Sequence, residues 1–96
     1  MAYKYKTVRG LLADRKRWCQ GQVVKLNKDG SFAFCMFGAA RMVYGIETPE
    51  CNKAIAKINA AIAKVLKHQS CGIIEFNDAH HRKHSDIVKV LKHAKV

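Results

Sequence analysis

Acidic residues are scarce in this chain: seven Asp and Glu stand against eighteen Lys and Arg. With so few acids, no pair of carboxylates emerges that would do general acid and base work. One proline and six glycines are too few for a long disordered tail. No CxxC pair occurs, which excludes a zinc ribbon or a thioredoxin-like motif. No Gly-rich phosphate loop, GxSxG elbow or HExxH helix is present. No apolar run approaches the length of a membrane span. "MAYKYKTVRG" is basic and no apolar stretch follows it, so a secretory leader is not expected. The four cysteines, at 19, 35, 51 and 71, are then expected to be reduced thiols of a cytoplasmic protein, behaving as small buried hydrophobes. No cofactor is implied.

Ninety-six residues, 49% of them apolar, make one domain over 1–96 with a thin but real core. The formal net charge is +11 with neutral histidines. Such a surface attracts polyanions, because each neutralised phosphate releases condensed counterions. Five histidines add positive charge in mild acid.

Hydrophobic periodicity predicts a first helix over residues 3–17, with Val8, Leu11, Leu12 and Trp18 on one side and Lys6, Arg9 and Lys16 on the other. Gly21 is its expected stop. Residues 22–34 change to a period of two. Val24 and Leu26, then Phe32 and Phe34, flank "NKDG", a hairpin signal whose apolar face should lie on the helices. "CMFGAARMVYG" reads as a short buried second helix, with Gly38, Ala39 and Ala40 admitting another helix and Gly45 ending it. A third helix opens with Thr48 as cap, Pro49 in the first position and Glu50 at the positive end of the dipole. Its apolar stripe is Ile55, Ile58, Ile62, Val65 and Leu66, opposite Lys53, Lys57, Lys64, Lys67 and His68. "IIEF" is too short to classify. A last helix should start at a Ser85 cap, with Asp86 in its first turn and Ile87, Val88, Leu91 and Ala94 inward. The expected fold is therefore mainly α: four helices, with a short β-hairpin between the first two.

The cationic rows are the first candidate surface: Arg9, Arg15, Lys16 and Arg17; Lys53, Lys57, Lys64 and Lys67; Arg82, Lys83, Lys89 and Lys92. Rows of lysine suit phosphate tracking, and the near-absence of Arg, Asn and Gln on the third helix predicts weak sequence selectivity. The second candidate is "FNDAHHRKHSD" at 76–86. His80 or His81 with His84 offers metal-ligand types, but the expected cap places them before the helix and two cations sit among them. His80 and His84 are thus weak metal candidates, and the bland reading is an exposed polar loop.

Three ordered pieces, "RWCQG" at 17–21, "CMFGAA" at 35–40 and "FNDAHHRKHSDIVKVLKHA" at 76–94, resemble an uncharacterised domain family of bacteria and their phages. The family pattern is Trp-Cys-x-Gly, then Cys-x-x-Gly-Ala, then aromatic-Asn-Asp and Asp-Val. This chain has Phe76 in place of tryptophan, Ile87 in place of valine, and its own basic His-rich insert. The resemblance carries over Trp18, Cys19, Gly21, Cys35, Gly38, Asn77, Asp78 and Asp86. It implies fold more than activity, and phage encoding with action in an infected host. Capping and close packing account for the whole set; a ligand pocket near Trp18, Asn77 and Asp78 is the alternative. Three functions follow as expectations. The leading one is a small non-enzymatic module binding nucleic acid or an acidic protein surface, away from membranes. The others are an enzyme or ligand-binding domain at Trp18 and Asn77–Asp78, and a structural protein-interaction subunit. Oligomeric state is open.

Overall fold

A computed structural model describes residues 5–67 and 71–96. His68, and the first two residues of the expected first helix, lie outside the described residues. The chain forms α1 (Val8–Leu12), a single 3-10 turn (Arg15–Arg17), β1 (Val24–Leu26), β2 (Phe32–Phe34), α2 (Met36–Tyr44), α3 (Pro49–Val65), α4 (Ile73–Asp78) and α5 (His84–Ala94). It is mainly helical with one antiparallel hairpin, but the described residues form five α-helices rather than four.

Two differences from expectation have local causes. The first helix is five residues long, not fifteen. Thr7 starts it, its hydroxyl accepting from the Gly10 N–H at 2.9 Å. Asp14 then takes an extended conformation, and its carboxylate accepts from the Lys16 N–H at 3.0 Å. An aspartate that captures the backbone two residues on competes with the helix and restarts the chain as a separate turn. Gly21 consequently stops no helix. The additional helix is α4, "IIEFND": Ile73, Phe76 and Asn77 fall at helical spacing and are buried together.

The longest helix follows its sequence signals. The Thr48 hydroxyl accepts from the Cys51 N–H at 3.0 Å, with Pro49 behind it. Its buried stripe is Cys51, Ala54, Ile58, Ala61 and Ile62, with Ile55, Val65 and Leu66 only partly covered. The stripe has turned toward small residues, and α5 packs there. In α5 the buried set is Ile87, Val90, Leu91 and Ala94, so Val90 rather than Val88 faces fully inward. Ser85 is not its cap. The helix begins at His84 behind Lys83, whose backbone N–H donates to Asp86 Oδ2 at 3.0 Å. Asp86 does sit in the first turn, as expected.

One core runs through the domain, built from Leu11, Leu12, Met36, Ile58, Ile62, Phe76, Ile87 and Leu91, all fully buried. The Val8 N–H and the Tyr44 hydroxyl both donate to the Val96 carbonyl, at 2.6 and 2.9 Å, tying α1 and α2 to the exit of α5.

The hairpin pairs Val24 with Phe34, Lys25 with Ala33 and Leu26 with Phe32. Gly30 takes φ +89°, and the Asp29 carboxylate accepts from both the N–H and the hydroxyl of Ser31. Those bonds hold the Asp29 carboxyl below its ordinary range. Only half of the hairpin's apolar surface is covered. Phe34 is buried and Phe32 partly so, while Val24 and Leu26 are exposed. The nearest atoms to a Cβ on Gly38 would be those of Val23, at the start of this hairpin. A Cβ there would lie 2.2 Å from the Val23 carbonyl oxygen.

Candidate functional site

Asn77 is the one fully buried polar side chain among the described residues. A buried amide is tolerated only when its hydrogen-bonding groups are paired. Its Oδ1 accepts from the Trp18 indole N–H at 2.8 Å and from the Met36 N–H at 3.0 Å. Its Nδ2 donates to the Cys19 carbonyl at 3.0 Å and to Asp78 Oδ1 at 2.8 Å. All four capacities of the amide are therefore used.

The neighbours extend the same network. Asp78 Oδ1 also accepts from the Gly21 N–H at 3.0 Å, where Gly21 has φ +80°. The Gln20 amide donates to the carbonyls of Asn77 and Ala79. The Cys19 N–H donates to the Phe34 carbonyl, placing residues 18–19 along the outer edge of β2. Cys35 precedes α2, and its Sγ accepts from the Gly38 N–H at 3.3 Å. Residues 18–19, the start of α2 and the end of α4 are thus joined through one amide, and the Cys19 N–H and Asp78 extend the network to β2 and Gly21.

The thiols in this network are poor nucleophiles. Burial, with Cys35 nearby, pushes the Cys19 thiol up to about 11. Burial likewise raises Cys35. A buried thiol held in its neutral form at physiological pH is a weak nucleophile.

The residues of the His-rich segment do not converge. His80 and His81 are exposed. His84 is partly buried, its Nε2 2.7 Å from the Leu12 carbonyl and its ring 5.9 Å from that of Trp18. A carbonyl only accepts, so Nε2 carries the proton and is no metal ligand in this arrangement. Among the described residues, no group of three or more His, Cys, Asp and Glu side chains comes together to hold a metal ion. Arg82 is committed to the fold: its Nε donates to the Phe76 carbonyl at 2.8 Å and its guanidinium lies 3.7 Å over the Phe76 ring.

The other cations divide by place. Arg17 stacks on Tyr5, 5.2 Å from the ring centroid. Arg15, Lys16 and Lys83 are exposed near the chain's bends, and Lys67 follows α3 with φ +51°. Lys57 and Lys64 of α3 meet His93 and Lys95 of the α5 end around a groove of about 260 Å³ floored by Ala60, Ala61 and Ala94. Lys95 also lines the adjoining groove with Thr7, Arg9 and Val96. Lys53 lies one turn before Lys57, and Lys89 one turn before His93, so both extend the same flank. Lys92 projects about 100° round α5 from His93. The sequence reading missed Lys95 and His93 as partners of the α3 lysines, because the contact depends on how α5 crosses α3.

Fold and network together define a small helical domain stapled by a buried asparagine, with one row of exposed cations on the α3–α5 flank. The chain belongs to a family of unknown function, DUF6197, whose model matches residues 2–95. No curated protein matches it, and no solved structure does. No helix among the described residues is long and apolar enough to cross a membrane.

Proposed function

We propose that this protein is a non-enzymatic binding module for nucleic acid, engaging the phosphate backbone with little regard for base sequence. The observation that carries this reading is the strip formed by Arg9, Lys95, Lys57, Lys64 and His93 along two adjoining grooves. Between these cations lie Ala60, Ala61 and Ala94 in one groove and Thr7 and Val96 in the other. Protein partners are usually held by aromatic or bulky aliphatic anchors in pockets, and the strip has none. Phosphates need only rows of point charge, which lysine supplies. The enzyme or ligand-site reading centred on Trp18 and Asn77–Asp78 gains no support from an amide with no free donor or acceptor.

The test is fluorescence anisotropy with an arbitrary labelled duplex across a salt series. Four or five phosphate contacts give a slope of about −4 in log K against log salt. Lys57→Glu with Lys64→Glu should weaken binding at least tenfold and flatten the slope by about two. An affinity that ignores salt, or survives the double reversal, refutes the reading.

A further inference from the structure

The hairpin has one covered edge and one open edge. Residues 18–19 run along β2. Nothing among the described residues runs along β1. The hydrogen bonds to β2 settle which groups face outward. The Asn27 N–H donates to the Ser31 carbonyl, and the Cys35 N–H donates to the Val23 carbonyl. Residues 23, 25 and 27 therefore turn their backbone groups toward β2. By alternation, Val24 and Leu26 turn theirs away, and neither has a backbone partner among the described residues.

Beside this edge lies an apolar groove of about 490 Å³. It is lined by Val23, Val24 and Phe34 of the hairpin region and by Gly38, Arg41, Met42 and Ile46 of α2 and the turn after it. Leu26 and Ile46 are 64% and 62% exposed. An open strand edge next to exposed aliphatic side chains is a template for strand addition. The Arg41 guanidinium lies 5.2 Å from the Phe37 ring centroid, and no carboxylate among the described residues pairs with it.

The charges decide between occupants. A second copy adding antiparallel through the outward groups of Val24 and Leu26 would set its Lys25 directly opposite the first Lys25. Like charges facing each other across a pair are destabilising, and each copy already carries +11. A strand of another protein with an acid opposite Lys25 turns the same position to advantage. Aliphatic residues on either side of that acid would turn to the opposite face, toward the groove.

We infer that the β1 edge and the groove beside it form a docking site for an extended segment of a partner protein that alternates aliphatic and acidic residues. Backbone bonds to Val24 and Leu26 supply the register, and the groove supplies selectivity. The site uses none of the α3–α5 cations, so it stands apart from the proposed nucleic-acid strip.

A capped seven-residue peptide alternating valine and glutamate, fluorescently labelled, is the probe. It should bind saturably to the full chain and slow amide exchange at Val24 and Leu26. The same peptide with lysine for glutamate should bind at least tenfold more weakly, as should one N-methylated on alternate backbone nitrogens. Ile46→Asp, at an exposed position that leaves the core intact, should also weaken binding at least tenfold. Lys57→Glu with Lys64→Glu should leave peptide affinity within twofold, which separates this site from the strip. Three results overturn the inference: no saturable binding at millimolar peptide, equal binding of the lysine peptide, or equal binding of the N-methylated one. A dimer in sedimentation that is lost on Leu26→Asp, without peptide binding, overturns it in favour of self-pairing.

Discussion

Asn77→Asp keeps the shape of the buried amide and changes only its hydrogen-bonding chemistry. The amide oxygen's two acceptances, from Trp18 and Met36, survive the substitution. The two donations, to the Cys19 carbonyl and to Asp78 Oδ1, do not. A carboxylate would instead point a negative oxygen at a carbonyl and at a second carboxylate. The Cys19 carbonyl loses its donor at about 1–3 kcal/mol, while Asp78 Oδ1 keeps the Gly21 N–H but faces a buried like charge, which adds to the cost. The expected deficit at pH 7 is about 4–6 kcal/mol, a large share of the roughly 5–15 kcal/mol available to a domain of this size.

Acid should recover part of that loss. Burial and the neighbouring Asp78 raise the folded-state pKa of the new carboxyl above its unfolded value of about 3.9. The fold then binds the proton more tightly than the unfolded chain does. Relative to wild type, the variant is least impaired below about pH 4 and loses ground as pH rises through the folded-state pKa. Once protonated, the carboxyl donates one bond in place of two, leaving a deficit of about 1–3 kcal/mol. Urea unfolding followed by the fluorescence of Trp18, the single tryptophan, measures the difference at pH 7 and pH 4.5. A deficit under about 1 kcal/mol at pH 7, or one that does not shrink at pH 4.5, would refute the account of the network.

Two other predictions are simpler. Gly38→Ala should destabilise by about 1–3 kcal/mol even though alanine favours helix by about 1 kcal/mol, because the added Cβ meets the Val23 backbone; a raised melting temperature would contradict the close approach of hairpin and α2. With a thiol reagent near pH 8, Cys71 alone should react promptly, while Cys19, Cys35 and Cys51 wait for unfolding. Because the folded Cys19 pKa is raised to about 11, its contribution to stability is present at pH 8 and is lost as pH rises from 9 to 11. Cys19→Ala should therefore lose less stability than wild type over that window, and an equal loss would remove burial as the cause.

The parts of the fold that were legible in the sequence are those decided within a few residues. Thr48, Pro49 and Glu50 start α3 through bonds that reach no further than Cys51. Asp29 and Gly30 close the hairpin by contacts with Ser31. Gly45, at φ +91°, ends α2. The failures have the same logic reversed. "IIEF" holds too few residues to show a period, and only its burial beneath α2 and α3 makes it a helix. The first helix kept its apolar spacing past residue 13, but Asp14 bonded to its own backbone instead. Asn77 was expected to cap or end its segment, but it lies inside α4, and three of its four side-chain partners lie 41 to 59 positions away, where spacing could not pair them with it. The alternation of Val24 and Leu26 marked a strand without saying whether anything covers it.

The two open surfaces draw on different residues from the staple. Trp18, Cys19, Gly21, Asn77, Asp78 and Asp86 direct their side-chain or backbone polar groups into the fold. The strip and the β1 edge are built from exposed lysines and aliphatic residues whose removal leaves no buried group unpaired. Surface changes away from caps, cores and buried networks generally shift stability by no more than about 0.5 kcal/mol. The two proposed surfaces and the stability of the domain are therefore separable, with Gly38 as the exception: it admits the Val23 backbone and also lines the apolar groove. A change there moves the hairpin against α2, so the β1 edge and the stability of the fold should respond together, while the lysine strip on α3 and α5 stays where it is.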